Sequence, residues 1–187
     1  ALLKPFKPEK LEDLDLTGLE NVMYSELYTE LFENIEKNIK GRARKELLDM
    51  LTSFIDTKNF VRIIRMKKYY HSSNEEIYKA LLPCGSMSTR FIQSLVEAND
   101  VNDVFKIMRQ TSAGKRICDV PYVYIDELTN KIKIQKSKKY MRFSVNASVI
   151  LFAYMFLLDI EISNIINIIE GIRYNIPNSE IKKMLTF

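Results

Sequence analysis

A pattern centred on an asparagine is written twice in this chain, and a duplicated unit limits the fold more than any single motif could. Residues 55–82 read IDTKNFVRIIRMKKYYHSSNEEIYKALL, and residues 160–185 read IEISNIINIIEGIRYNIPNSEIKKML. In each, an isoleucine and an acid (Ile55-Asp56, Ile160-Glu161) precede an asparagine three places after the acid (Asn59, Asn164). Branched apolar residues follow (Val61, Ile63 and Ile64; Ile166, Ile168 and Ile169), then a basic residue beside a tyrosine (Lys68-Tyr69, Arg173-Tyr174). A polar break and a short helix carrying Glu76-Ile77 or Glu180-Ile181 close the two copies. The asparagines stand 105 positions apart, the spacing of a duplicated helical unit rather than of a short solenoid repeat.

Composition agrees with helices. At 187 residues, 47% of them hydrophobic, the chain can bury a core as one domain or two small ones. Only 5 glycines and 5 prolines leave room for few tight turns, hence long helices rather than many strands. A formal charge of +4 permits acidic partners without demanding nucleic acid. Cys84 and Cys118 are far apart and lack CxxC spacing, which points to free thiols in a reducing compartment instead of a disulfide framework or zinc ribbon. Residues 1–10 have neither the apolar core nor the cleavage pattern of a signal peptide, and the absent initiator methionine fits trimming or a fragment of a longer chain. Residues 145–158 are the one stretch resembling a membrane span. At about 14 residues they fall short of the ~20 a bilayer needs, so a buried core helix is predicted there.

Along the chain, residues 1–18 form a leading extended segment with Pro5 and Pro8. Residues 20–40 make an amphipathic helix with Met23, Leu27, Leu31, Ile35 and Ile39 on its stripe, and Gly41 breaks it. Residues 46–55 continue with Leu47, Leu51, Phe54 and Ile55 on one face, and a new helix opens with Asp56 or Thr57 accepting its first-turn N–H groups. Ser72 and Ser73, three places before Glu75 and Glu76, signal a capping box. Pro83-Cys84-Gly85 stops that short helix, and two more follow at 87–98 and 101–111. Residues 114–120 are the expected boundary between units. Residues 121–141 fit helical spacing better than the hairpin that YVYI and KIKI also suggest. Residues 144–158 repeat the apolar positions of 47–55, so each unit has a helix before its repeat segment. The fold class is all-α, divided as a leading segment 1–18 and helical units 19–116 and 117–187.

No reactive constellation emerges. His71 is the one histidine, at an expected helix end where an imidazole can bond free carbonyls, so catalytic triads and histidine metal sites lack material. Cys84 in PCGS is better explained as a turn cysteine than as an activated thiol. Ser112-Ala113-Gly114-Lys115 imitates the end of a phosphate loop, but Arg109 stands where the earlier glycine belongs. Asp159 and Glu161, two apart, project to different helix faces and suit solvation rather than acid–base work. No catalytic residue, cofactor or metal is therefore expected. Two basic features remain: Arg62, Arg65 and Lys68 on one stripe, with Arg173 in the second copy, and the run Lys131, Lys133, Lys136, Lys138, Lys139 and Arg142. Either could meet a protein partner. A helical RNA- or DNA-binding module using the run at 131–142 is the alternative, although a solvated face is the commoner origin of such a run.

These residues resemble the C-type (eukaryotic d-type, AC39) stalk-to-ring adaptor family of the rotary V-type and archaeal-type ATPases. The resemblance rests on Asp56-x-x-Asn59 with Ile63-Ile64-Arg65-x-Lys67, on the LLPCG turn at 81–85 and the helix after it, and most on residues 152–185 with Asn164, Gly171 and Glu180-Ile181. It covers most of residues 24–187. The family turn usually has glycine where Cys84 stands, and residues 110–142 match poorly. Family members usually have three such units, and two are visible here. The resemblance implies a funnel-like helical protein, peripheral to the membrane on its cytoplasmic face and not inserted in it. Such a protein receives the central stalk, sits on the membrane rotor ring and passes torque for ATP-linked proton or sodium transport, without binding nucleotide. It further implies that Asp56, Asn59, Glu161, Asn164 and Gly171 are structural signature positions, and that no nucleic acid is bound.

Overall fold

In a computed structural model of the chain, residues 16–110 and 125–187 are described, with side chains from 18 and from 129 in the two stretches. Every regular element among them is helical. The order is α1 (Leu16–Asn38), α2 (Gly41–Arg65) running into a π-helical turn (Met66–Tyr70), α3 (Asn74–Ala80), α4 (Thr89–Val96) and α5 (Val101–Arg109). After it come α6 (Ile125–Phe143), α7 (Ala147–Arg173) and α8 (Asn178–Met184). The hairpin reading of 131–134 is thereby excluded in favour of helix. Residues 1–15 and the Ser112–Lys115 sequence, Cys118 and the expected boundary at 114–120 lie outside the described residues.

Helix ends follow their local chemistry. Gly41 takes φ +63° between α1 and the body of α2, a left-handed conformation that glycine adopts without steric cost. Ser73 caps α3 and Glu76 reaches back to its N–H, completing the capping box. Ser88 caps α4 in the same way through Phe91 N–H. No helix restarts at Asp56, contrary to the reading of that acid as a cap. The 25 residues of α2 run straight through the asparagine segment, and Thr57 donates instead to the Ser53 carbonyl one turn back.

Two compact units divide the chain. One holds α1 and Leu51–Val104; the other holds Gly41–Met50 with Phe105–Phe187, so α2 contributes to both. In the first, Phe54, Phe60, Ile63, Ile64, Ile77 and Leu95 are buried. α1 lies along α2 there, with Lys58 Nζ over the rings of Tyr24 at 4.6 Å and Tyr28 at 5.8 Å. Of the α1 stripe, Ile35 is buried while Met23 and Leu27 are exposed.

The second unit is built on α6 packed against α7, with α8 against α7 in turn. Glu46, buried, accepts bonds from Arg42 Nε (2.7 Å), Ser144 Oγ (2.6 Å) and Asn146 Nδ2 (3.3 Å). Asp49 takes Lys136 on both its carbonyl (2.7 Å) and its carboxylate (2.9 Å), and the Tyr140 hydroxyl donates to the same carboxylate.

The prediction of a buried core helix over 145–158 fails. Residues 147–158 belong to the 27-residue α7, which is long and apolar enough to cross a membrane by length and composition, yet only 17% of its most apolar window is buried. Val149 and Ala153 face inward, while Leu151, Tyr154, Met155 and Leu158 are exposed. Counting apolar residues only as far as Asp159 cut the helix in half.

Candidate functional site

The two asparagines make the same contact. Asn59 donates from Nδ2 to the Leu82 carbonyl (2.9 Å) and accepts the Leu82 N–H on Oδ1 (2.8 Å). Asn164 donates to the Thr186 carbonyl (2.7 Å) and accepts the Thr186 N–H (3.0 Å). A carboxamide offers a donor and an acceptor side by side, which is what one residue's extended backbone presents. Each clamped residue is the second beyond a short helix, α3 or α8. One turn further along the long helix, a second side chain holds the last residue of that short helix. Arg62 Nη1 donates to the Ala80 carbonyl (2.5 Å), and Asn167 Nδ2 donates to the Met184 carbonyl (3.2 Å). The buried faces of α3 and α8 carry Ile77 and Ile181.

The copies differ by one residue. Asn59 and Leu82 are 23 positions apart, Asn164 and Thr186 only 22. Each long helix ends on a left-handed residue, His71 (φ 48°) and Asn175 (φ 54°). From these residues to the clamped ones the count is equal, so the extra residue falls between Asn59 and His71, where the π turn lies. A π turn seats one residue more than an α turn. At the second end Ile176 N–H reaches the Gly171 carbonyl (2.9 Å), the wide bond of a Schellman cap; at the first, Ser72 N–H reaches Met66 (3.1 Å), one residue wider still. His71 serves through its backbone N–H, which also bonds Met66, and not through the imidazole bond expected from sequence.

The remaining signature positions divide by surroundings. Asp56 reaches over the LLPCG turn, accepting the N–H groups of Ser86 (2.8 Å) and Met87 (3.3 Å) and the Ser86 hydroxyl. A Cβ on Gly85 would collide with that carboxylate. Cys84 beside it has φ 66°, the conformation that explains a glycine preference at this place. Glu161, the counterpart of Asp56, is exposed. On Gly171 a Cβ would stand 2.7 Å from Ile181 Cγ1 and Cδ1, so the missing side chain is what lets α8 close on α7.

Of the basic positions, Arg62 is half-buried. Burial pushes its guanidinium pKa down, against Glu20, Tyr24 and Tyr28 nearby. Arg65 is exposed, Lys68 lies over the Tyr69 ring (4.8 Å) and Arg173 over the Tyr174 ring (5.7 Å). Lys67, absent from the expected set, bonds the Ala98 carbonyl (2.7 Å), and burial pushes its ammonium pKa down. In the run 131–142, Lys136 is committed to Asp49 and Lys139 lies over Tyr140 at 5.7 Å. The roles of Arg62, Asn167 and Lys67 were missed because each acts on a main-chain carbonyl, whose position no side-chain pattern announces. Among the described residues no group of three or more histidine, cysteine, aspartate or glutamate side chains could hold a metal.

The family model described as ATP synthase (C/AC39) subunit matches residues 1–184. The C subunit of the A-type ATP synthase of Pyrococcus furiosus is 29% identical over 97 residues, covering 52% of this chain and 26% of that protein. Its namesake from the A-type ATP synthase of Pyrococcus horikoshii is 25% identical over 142 residues, covering 70% of this chain and 38% of that protein. The chain thus spans well under half the length of these curated relatives. No solved structure matches.

Proposed function

The chain belongs to the ATP synthase (C/AC39) subunit family, and on that premise we propose that it is a non-catalytic subunit of a rotary ATPase, coupling the central stalk to the membrane rotor ring. In this role it passes torque for ATP-linked proton or sodium transport, held peripherally at the cytoplasmic face. The observation that carries the reading is the family match over residues 1–184. What supports a mechanical role is the duplicated lock: in each copy a long helix is bonded by side chain to main chain at the last residue of the short helix that follows and at the second residue beyond it. Such bonds fix helix ends that would otherwise fray, and a coupler must not yield under load.

Within this proposal Asp56, Asn59, Glu161, Asn164 and Gly171 are structural signature positions of the two repeated segments, 55–82 and 160–185. Arg65, Lys68 and Arg173 are the partner-facing cations; Arg62 contributes from inside through Ala80. No finding favours a nucleic acid.

The test is coupling. In membrane vesicles carrying the complete ATPase, depleting this protein is expected to abolish ATP-driven ion uptake while ATP hydrolysis by the head persists, and adding it back restores uptake. Uptake that survives depletion, or absence of the chain from the isolated complex, would refute the role.

A further inference from the structure

The outward face of α7 carries a second pattern. From Leu151 an apolar residue recurs at alternating steps of four and three: Met155, Leu158, Ile162, Ile165, Ile169 and Ile172. That is the seam of a heptad coiled coil, sustained over three heptads and about 32 Å of helix. All seven side chains are between 39% and 65% exposed. The seam does not hold the unit together: Val149, Ala153, Ile160 and Gly171 are the buried residues of α7, and Asn164 and Asn167 face α8. In the first copy the positions equivalent to Ile162, Ile165 and Ile169 are Thr57, Phe60 and Ile64, all buried. There α1 lies beside the helix. The same face is therefore interior in one copy and bare in the other.

Its flanks are apolar at Phe152, Tyr154, Ile166 and Ile168, basic at Arg173 and acidic at the centre, and the central pair narrows what fits. Asp159 and Glu161 border the seam at the centre of α7, and both are exposed. A bilayer crossing would put both carboxylates at the midplane, the costliest depth for a charge. A second copy of the chain, parallel or antiparallel about the helix centre, would bring the same acids together.

We propose that the seam over residues 151–172 is a docking surface for an amphipathic partner helix, aliphatic along its own heptad seam and flanked by lysine or arginine opposite Asp159 and Glu161. This goes beyond the coupling role and does not depend on it, since the face has the same chemistry in any complex.

The probe is a synthetic three-heptad peptide with isoleucine and leucine at its seam positions and lysine at the flanking ones, which keep it from pairing with itself. A glutamate-flanked twin is the control. Titrated into the full 187-residue chain, the lysine peptide is expected to bind about fivefold tighter than the glutamate one and to slow amide exchange across residues 158–172. Asp159→Asn with Glu161→Gln should keep binding and erase the preference. Ile162→Asp with Ile169→Asp, both at exposed positions, should keep helicity by circular dichroism and weaken binding more than about 100-fold. Equal binding of both peptides, or none, overturns the proposal. So does self-association that the lysine peptide does not compete with, which would make a second copy the occupant. Partition into phosphatidylcholine–phosphatidylglycerol vesicles that the peptide does not displace would assign the face to a membrane surface instead.

Discussion

Asn59 satisfies both polar groups of Leu82 at once, in surroundings where water cannot take over. Removing one side of a buried pair leaves the other unsatisfied, so Asn59→Leu should lower stability by about 3 kcal/mol in urea melts. Asn59→Asp should do comparable damage because its carboxylate would face the Leu82 carbonyl. A loss under about 0.5 kcal/mol for Asn59→Leu would mean the clamp is incidental. Cys84 points the other way. Its φ of 66° costs a side-chain-bearing residue energy that glycine does not pay. Cys84→Gly should therefore raise the denaturation midpoint, by a gain of up to about 1 kcal/mol. Both asparagines were visible in sequence as a repeated letter; their partners were not, because a backbone amide has no letter.

At the scale of elements, the π turn is the difference between the two long helices. Deleting Lys68 would bring the span from Asn59 to Leu82, now 23, to the 22 of the second copy. The expected result is a protein that still unfolds cooperatively, with the Asn59 carboxamide still protecting Leu82 N–H from exchange. Loss of that protection would show that the extra residue is needed for the register. Helix α3 was legible from its serine cap, and α6 from its spacing. The continuity of α2 was not, since an acid followed by a polar residue, as at Asp56-Thr57, marks a helix start as readily as it decorates a helix middle. The fate of α7 was missed for a related reason: hydropathy reports how apolar a helix is, not whether the chain supplies something to cover it.

For the whole molecule the clearest solution property is its response to acid. Bonds from Ser144 first, then Arg42, hold the Glu46 carboxyl below its ordinary range, with burial opposing them. For Asp49, burial pushes upward most strongly, but bonds from Tyr140 and Lys136 and the charges of Lys136 and Lys139 outweigh it. A depressed folded pKa contributes stability that is present above the unfolded value and lost as pH falls through the folded one. The melting temperature should thus hold between about pH 6 and 8 from these two groups and fall below about pH 4.5. Glu46→Gln with Asp49→Asn should flatten that acid limb, and an unchanged slope would assign acid sensitivity elsewhere. The helical class and the duplication could be read from spacing alone, because both are periodic; the locks and the uncovered seam depend on three-dimensional neighbours. One consequence concerns descent. Because each clamp grips main chain, it does not itself specify the gripped side chain, and leucine in one copy is indeed threonine in the other. Ancestry in such proteins should then be sought in the spacing of the gripping side chains, which can outlast the letters between them.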